Sequence, residues 1–236
     1  MADKPRWGWI EIILVYVGIT ALGFLVSLFN QTLTDFSAGL GMGEAGYFLV
    51  VFVIQFVATV TMVWFFSIIT TGADWSQLGV KGASLSHFLK YGVLGGAVLI
   101  MTVILLGLVL QQIHPDVQPQ YFEQVLRSSH SLKVFLPLLA AGAVLAPFSE
   151  ELYYRGMIYP VLRYHFGPVA GAVLAGLLFG LAHLDFWRTI PLAVGGAGLC
   201  YIYEKSGSIL VSTVAHGVWN GFMAIAVYLS VSHGIL

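Results

Sequence analysis

Charged side chains make up only 9% of the 236 residues, against about 25% in soluble domains. A folded chain with so few has little means of staying in water. The net charge of −1 at pH 7 supplies no global field to draw nucleic acid or another polyanion. Cys200 is the single cysteine, which excludes an internal disulfide and a thiolate metal cluster. There is no His-Glu-x-x-His segment, the helix-borne signature of many zinc proteases. Repeats, low-complexity tracts and a polar second domain are absent as well.

What is there is apolar. Hydrophobic residues form 58% of the chain, and mean hydropathy is +0.89. The apolar stretches cover 9–29, 46–70, 91–110, 134–164, 168–185, 188–204 and 208–230. They are continuous rather than alternating, which argues for helices and against barrel strands. The expected fold is all-α: a polytopic transmembrane helical bundle of about seven spans, in one domain over 1–236. Lys4 and Arg6 precede the first run as in a signal peptide. Its roughly 20 residues exceed the about 7–15 of a signal's apolar region and suffice to span, so it reads as a retained first helix. The polar connections are 72–90 and 111–133, and either has room for a short interfacial helix. In the second, Tyr121, Phe122, Val125 and Leu126 suggest one.

Lys and Arg counts predict orientation. With the N-terminus cytoplasmic, the inner side holds Lys4, Arg6, Lys81, Lys90, Arg155, Arg163 and Lys205. The outer side holds Arg127, Lys133 and Arg188. The excess favours a multi-pass cell-membrane protein with its N-terminus inside.

Against this background a few polar groups stand at membrane depth, where ionisable side chains are expensive and usually kept for a task. Glu150 and Glu151 are adjacent in Ala-Pro-Phe-Ser-Glu-Glu-Leu-Tyr-Tyr-Arg-Gly, which ends on Arg155 and Gly156. Glu151 and Arg155 are spaced i, i+4, which suits an intrahelical ion pair acting as a structural clamp. Glu150 points about 100° away around the helix. It reads either as a charge at a solvated helix end or as a group facing another partner. His183 in Leu-Phe-Gly-Leu-Ala-His-Leu reads as a core histidine, an interfacial one beside Asp185 and Arg188, or a site residue. His216 and Asn220 share one face of an apolar helix. Neighbouring Gly217 and Gly221 permit close helix approach, so hydrogen-bond glue between helices is the bland reading. His87, His114, His130, His165 and His233 fall in loops, ends or turns and receive no role.

Depth links these groups. Phe166-Gly167-Pro168 and Ser206-Gly207 read as helical hairpin turns. Glu150 and His183 each lie about 24 Å along straight helices from the first turn. His216 and Asn220 lie about 14 and 20 Å beyond the second. All four can meet in one layer.

Glu150-Glu151-x-x-x-Arg155, Phe179-x-x-x-His183 and His216-x-x-x-Asn220 occur in that order. The ordered triple resembles the motifs of the CPBP family, the CAAX proteases and bacteriocin-processing (Abi) enzymes, and in particular the type II CAAX prenyl endopeptidase. The resemblance covers about 134–230, which would be the catalytic core. It implies an intramembrane endopeptidase. Glu150, assisted by His183, would activate water; His216 and Asn220 would stabilise the oxyanion. Glu151 and Arg155 would brace the helix, and Phe179 would pack near His183. No cofactor is required on that reading. The rival reading is a zinc site with Glu150, His183 and His216 as ligands, a set that leaves one position for water. The implied partners are the bilayer and a peptide or protein substrate, lipid-modified or membrane-embedded, with no nucleic acid. Two alternatives are a non-catalytic family member acting in bacteriocin immunity or as a scaffold, and a small ion or proton transporter.

Overall fold

The computed structural model describes residues 4–115 and 117–234. Among them are eight helices and no strand: α1 (Trp9–Leu28), α2 (Asn30–Ala38), α3 (Glu44–Ile69), α4 (Leu85–Ile113), α5 (Tyr121–Arg127), α6 (Leu132–Leu181), α7 (Thr189–Ser206) and α8 (Ile209–Ser232). The all-α expectation holds, and α5 is the short helix expected in the second polar connection. The first polar connection forms no separate helix. Its end starts α4 instead, with Ser84 capping that helix by accepting from the His87 N–H. The short α2 was not anticipated.

Five helices are long and apolar enough to cross a membrane: α1, α3, α4, α6 and α8. The chain is a multi-pass membrane protein; helix length and composition give five candidate spans, and the expected seven is not confirmed by that count. Two features account for the difference. In α7, three glycines and a Glu204-Lys205 end dilute the apolar content. Helix α6, at 50 residues, would run to about 75 Å if straight, more than twice the hydrocarbon thickness. It breaks at Gly167, whose φ of 79° and ψ of 170° are not helical. The chain doubles back there, since a Cβ at Gly171 would lie 2.8 Å from the Arg163 backbone nitrogen. A left-handed Gly207 likewise ends α7 and turns the chain into α8.

One end of the bundle gathers several of the cations assigned to the inner side. Arg6 bonds the Gly72 carbonyl, Arg163 pairs with Glu204 at 2.7 Å, and the Ser208 hydroxyl donates to the Lys81 carbonyl. Arg155 is a correction to that count: it is fully buried in the middle of α6. Helix α1 is tied to the same stretch by Trp7 Nε1 donating to the Met157 carbonyl and Tyr153 donating to that of Ile12.

The helices that carry the motifs meet through small residues. Gly176 and Gly180 of α6 face the α7 backbone, and Gly196 of α7 faces Gly176. Gly96 of α4 and Gly217 of α8 leave room for the carbonyls of Ala215 and Ala143 respectively. The close approach expected from Gly217 and Gly221 is therefore present, with Ala143 as the contact for both. Gly217→Val places new carbons against the Ala143 carbonyl and should destabilise the protein by about 1–3 kcal/mol. Gly23→Ala, with nothing within 4 Å of the added carbon, is the control. Thermal unfolding in detergent compares the two; equal midpoints would show that close packing at Gly217 contributes nothing.

Candidate active site

The stretch of α6 that carries the glutamate pair is not uniform α-helix. Ala146–Glu151 is α-helical, flanked by wider π turns at Ala141–Leu145 and Leu152–Ile158. Such turns recur at functional positions. Pro147 supplies a reason for the first: it has no N–H for the carbonyl of Ala143, and its ring crowds that oxygen. The Ala146 N–H reaches the Ala141 carbonyl instead, so the Gly142 oxygen loses its usual helical donor. Asn220 of α8 supplies one, with Nδ2 3.1 Å from that oxygen.

The two glutamates diverge as the 100° step predicts. Glu151 and Arg155 are fully buried, with Arg155 donating to Glu151 Oε1 at 2.7 Å. The remaining amino group of Arg155 donates to the Gly196 carbonyl of α7 at 2.7 Å. Its guanidinium carbon lies 4.9 Å from the centre of the Phe179 ring, within cation–π range. The Glu151–Arg155 clamp is thus real, but it does more than brace one helix. His216 Nδ1 lies 3.0 Å from the same Glu151 oxygen. A carboxylate only accepts, so the imidazole donates from Nδ1 and turns Nε2 the other way. Nε2 is 3.6 Å from Glu150 Oε2. His216 therefore stands between the two glutamates, one on each ring nitrogen. Sequence reasoning missed the contact with Glu151, because the i, i+4 spacing accounts for its partner on α6 and says nothing of α8.

Glu150 is one third exposed, at 33% of its side-chain surface. It faces a cavity of about 690 Å³ whose wall also includes Phe179, His183, His216 and Asn220. All four residues expected at one level thus line a single space. His183 follows the last turn of α6, and its Nδ1 donates to the Phe179 carbonyl at 2.8 Å. Its Nε2 is thereby left as the acceptor in a neutral ring. Phe179 packs edge-on against both imidazoles, with centroids 4.8 Å from His183 and 5.6 Å from His216. Most of the remaining wall is apolar, including Phe48, Phe52, Val103, Leu108, Met223 and Val227.

The mouth is polar. Asp185 accepts from the Arg188 backbone N–H at 3.1 Å and from its guanidinium at 2.5 Å. Burial pushes the Asp185 carboxyl up, but these Arg188 donors outweigh it and hold the group below its ordinary value.

Among the described residues no three His, Cys, Asp or Glu side chains converge as a metal-ion site. Glu150 and His216 approach each other, and His183 does not complete the set.

Residues 132–222 match the family model described as "Type II CAAX prenyl endopeptidase Rce1-like". That range takes in all three motifs, so the resemblance read from them is borne out there. A curated relative in Bacillus subtilis (strain 168), named "Putative membrane peptidase YdiL", is 22% identical over 88 residues. The match covers 37% of this chain and spans only 36% of the relative's length. No solved structure matches the chain.

Arg155→Ala leaves Glu151 buried without its cation and should cost about 3–5 kcal/mol of stability. The double variant Glu151→Gln/Arg155→Met removes both charges and should recover much of that loss. Thermal midpoints of the two purified proteins decide. A double variant as unstable as Arg155→Ala would show that the buried charge is not what matters.

Proposed function

We propose that the protein is an intramembrane endopeptidase of the CPBP type, hydrolysing a peptide bond in or near the bilayer. The observation that carries this reading is the placement of His216. Glu151 fixes one ring nitrogen while the other faces Glu150 at the wall of a cavity shared with His183 and Asn220. The Rce1-like match over 132–222 and the name of the bacterial relative support a peptidase.

The chemistry follows from which atoms are free. Glu150 is the one carboxylate of the pair open to the cavity, and it takes a proton from water as the water oxygen attacks the substrate carbonyl. His183 Nε2, an acceptor in the neutral ring, holds the same water. The developing oxyanion needs donors aimed at it. With Nδ1 committed to the Glu151 carboxylate, His216 donates from Nε2 when both ring nitrogens carry protons. Asn220 has two Nδ2 hydrogens; one is used on Gly142, and the second serves the oxyanion. Collapse of the intermediate breaks the C–N bond, and Glu150 returns its proton to the leaving amine. In this mechanism Glu151 is a positioning residue, and no metal takes part.

Glu150→Gln keeps the volume but cannot accept the proton. It should abolish cleavage while leaving yield and thermal midpoint near wild type. The test is proteolysis, by enzyme reconstituted in liposomes, of substrates trapped on the Glu150→Gln protein in native membranes. Activity within a few-fold of wild type would remove Glu150 from the mechanism. Asn220→Ala should slow single-turnover cleavage about 10²–10³-fold per folded enzyme and also lower stability by about 1–3 kcal/mol, because the Gly142 carbonyl loses its donor. A stability loss with an unchanged normalised rate would leave Asn220 as packing alone. Elemental analysis of active enzyme should find no stoichiometric zinc. One zinc per chain, lost and regained together with activity, would overturn the metal-free mechanism.

A further inference from the structure

A second cavity adjoins the first. It is more open, about 680 Å³, and lies between His114 with residues 117–121 on one side and the 183–188 turn on the other. Four residues line both spaces: Val117, Gln120, His183 and Arg188. The junction between a vestibule of mixed polar and apolar lining and the more apolar chamber is therefore marked by one candidate catalytic imidazole and one guanidinium. Among the described residues, no Lys and no other Arg lines either cavity.

Arg188 is partly spent. It donates to Asp185, and its side chain remains 24% exposed. A guanidinium carries five N–H donors in a planar fork suited to carboxylates. The Asp185 contact engages one amino group, Nη1. Asp185 is itself held within the turn by the Arg188 backbone, so the pair is a fixed mount on a residue that lines both cavities.

We propose that Arg188 is a specificity residue that receives a peptide carboxylate at this junction. The substrates selected would be those with an anionic group close to the scissile bond on the vestibule side, and an apolar segment in the chamber. The carboxylate has two sources, the substrate's own C-terminus and an Asp or Glu side chain. The proposal rests on the proteolytic reading above. Its structural alternative is that the Asp185–Arg188 pair merely closes the turn that follows α6.

The probes are three matched pools of acylated, internally quenched decapeptides in phosphatidylcholine nanodiscs. One pool ends in a free carboxylate, one in an amide, and one in an amide with a single Asp near its C-terminus. Wild-type cleavage gives kcat and KM, and binding to Glu150→Gln gives affinity without turnover. A charge-assisted pair at a partly exposed site should favour a carboxylate pool by about tenfold. The preference should appear in KM and in binding to Glu150→Gln. It should fall to near unity in Arg188→Gln and be partly retained in Arg188→Lys. Preference for the first pool alone assigns the C-terminus; preference for the third as well assigns any carboxylate. Equal affinity of Glu150→Gln for all pools overturns the proposal, as does a preference that survives Arg188→Gln. A lower thermal midpoint in Arg188→Gln with the preference intact leaves only the turn-closing role. Selective binding by Glu150→Gln with no cleavage of any pool by wild type would sink the proteolytic reading and keep the carboxylate site.

Discussion

Glu151 is a carboxylate with no exposure at all, and the rest of the site is organised by what it takes to keep it there. A buried charge without a partner costs several kcal/mol. Arg155, one turn further on, supplies the counter-charge and is equally buried. That creates a second obligation, because a guanidinium has more donors than one carboxylate oxygen can satisfy. The Gly196 carbonyl of α7 takes one of them, and the Phe179 ring covers the cation's face. The Glu151 oxygen that binds Arg155 also accepts from His216 of α8. One ion pair on one helix thus engages three parts of the fold: α7, the second arm of α6 and α8. Satisfying Glu151 is the same act as aligning His216.

That arrangement demands helices close enough for side chains to reach backbone oxygens on their neighbours. In a bilayer the hydrophobic effect does not press helices together, so close approach depends on small residues at the contacts. Gly176 and Gly196 admit α7 against α6, which brings the Gly196 carbonyl within reach of Arg155. Gly217 admits α8 against the π turn of α6, which brings Asn220 to the Gly142 carbonyl. The widened turns matter here as much as the glycines. They release main-chain acceptors inside the bundle, and each released acceptor must find a donor. Asn220 meets that need without using all of its hydrogens.

The sequence showed the membrane class, the helical content and the polar layer, because these depend on composition and on spacing along one helix. Glu151 with Arg155 and His216 with Asn220 are i, i+4 pairs, visible without tertiary information. Phe166-Gly167-Pro168 is a turn whose chemistry is local, and it bends the chain where expected. The number of spans was less legible, because the glycine-rich α7 falls short of the apolar content of a span and 132–181 counts as one long helix despite its break at Gly167. The particular contacts between helices were not legible, beyond the close approach at Gly217 and Gly221 and the shared layer. Nothing in the local pattern says that Glu151 reaches α8, that Arg155 reaches α7, or that Arg188 lines two cavities. Those depend on rotation and separation of helices, which small residues permit but do not specify.

Adjacent carboxylates at membrane depth would ordinarily be a liability, since like charges raise each other's cost of ionisation. Their separation around the helix axis is what makes the pair useful. One step of about 100° places Glu151 among Arg155 and His216 in the interior and Glu150 at the cavity wall, 33% exposed. The first is neutralised by a fixed cation and has no surface from which to collect or release a proton. The second has that surface, and its ion-pair contact is with His216. The imidazole lies between them, with Nδ1 on Glu151 and Nε2 3.6 Å from Glu150. Two residues identical in chemistry and adjacent in sequence are given different work by burial alone. Exchanging them would leave the residue paired with Arg155 at the cavity wall and the exposed one in the interior.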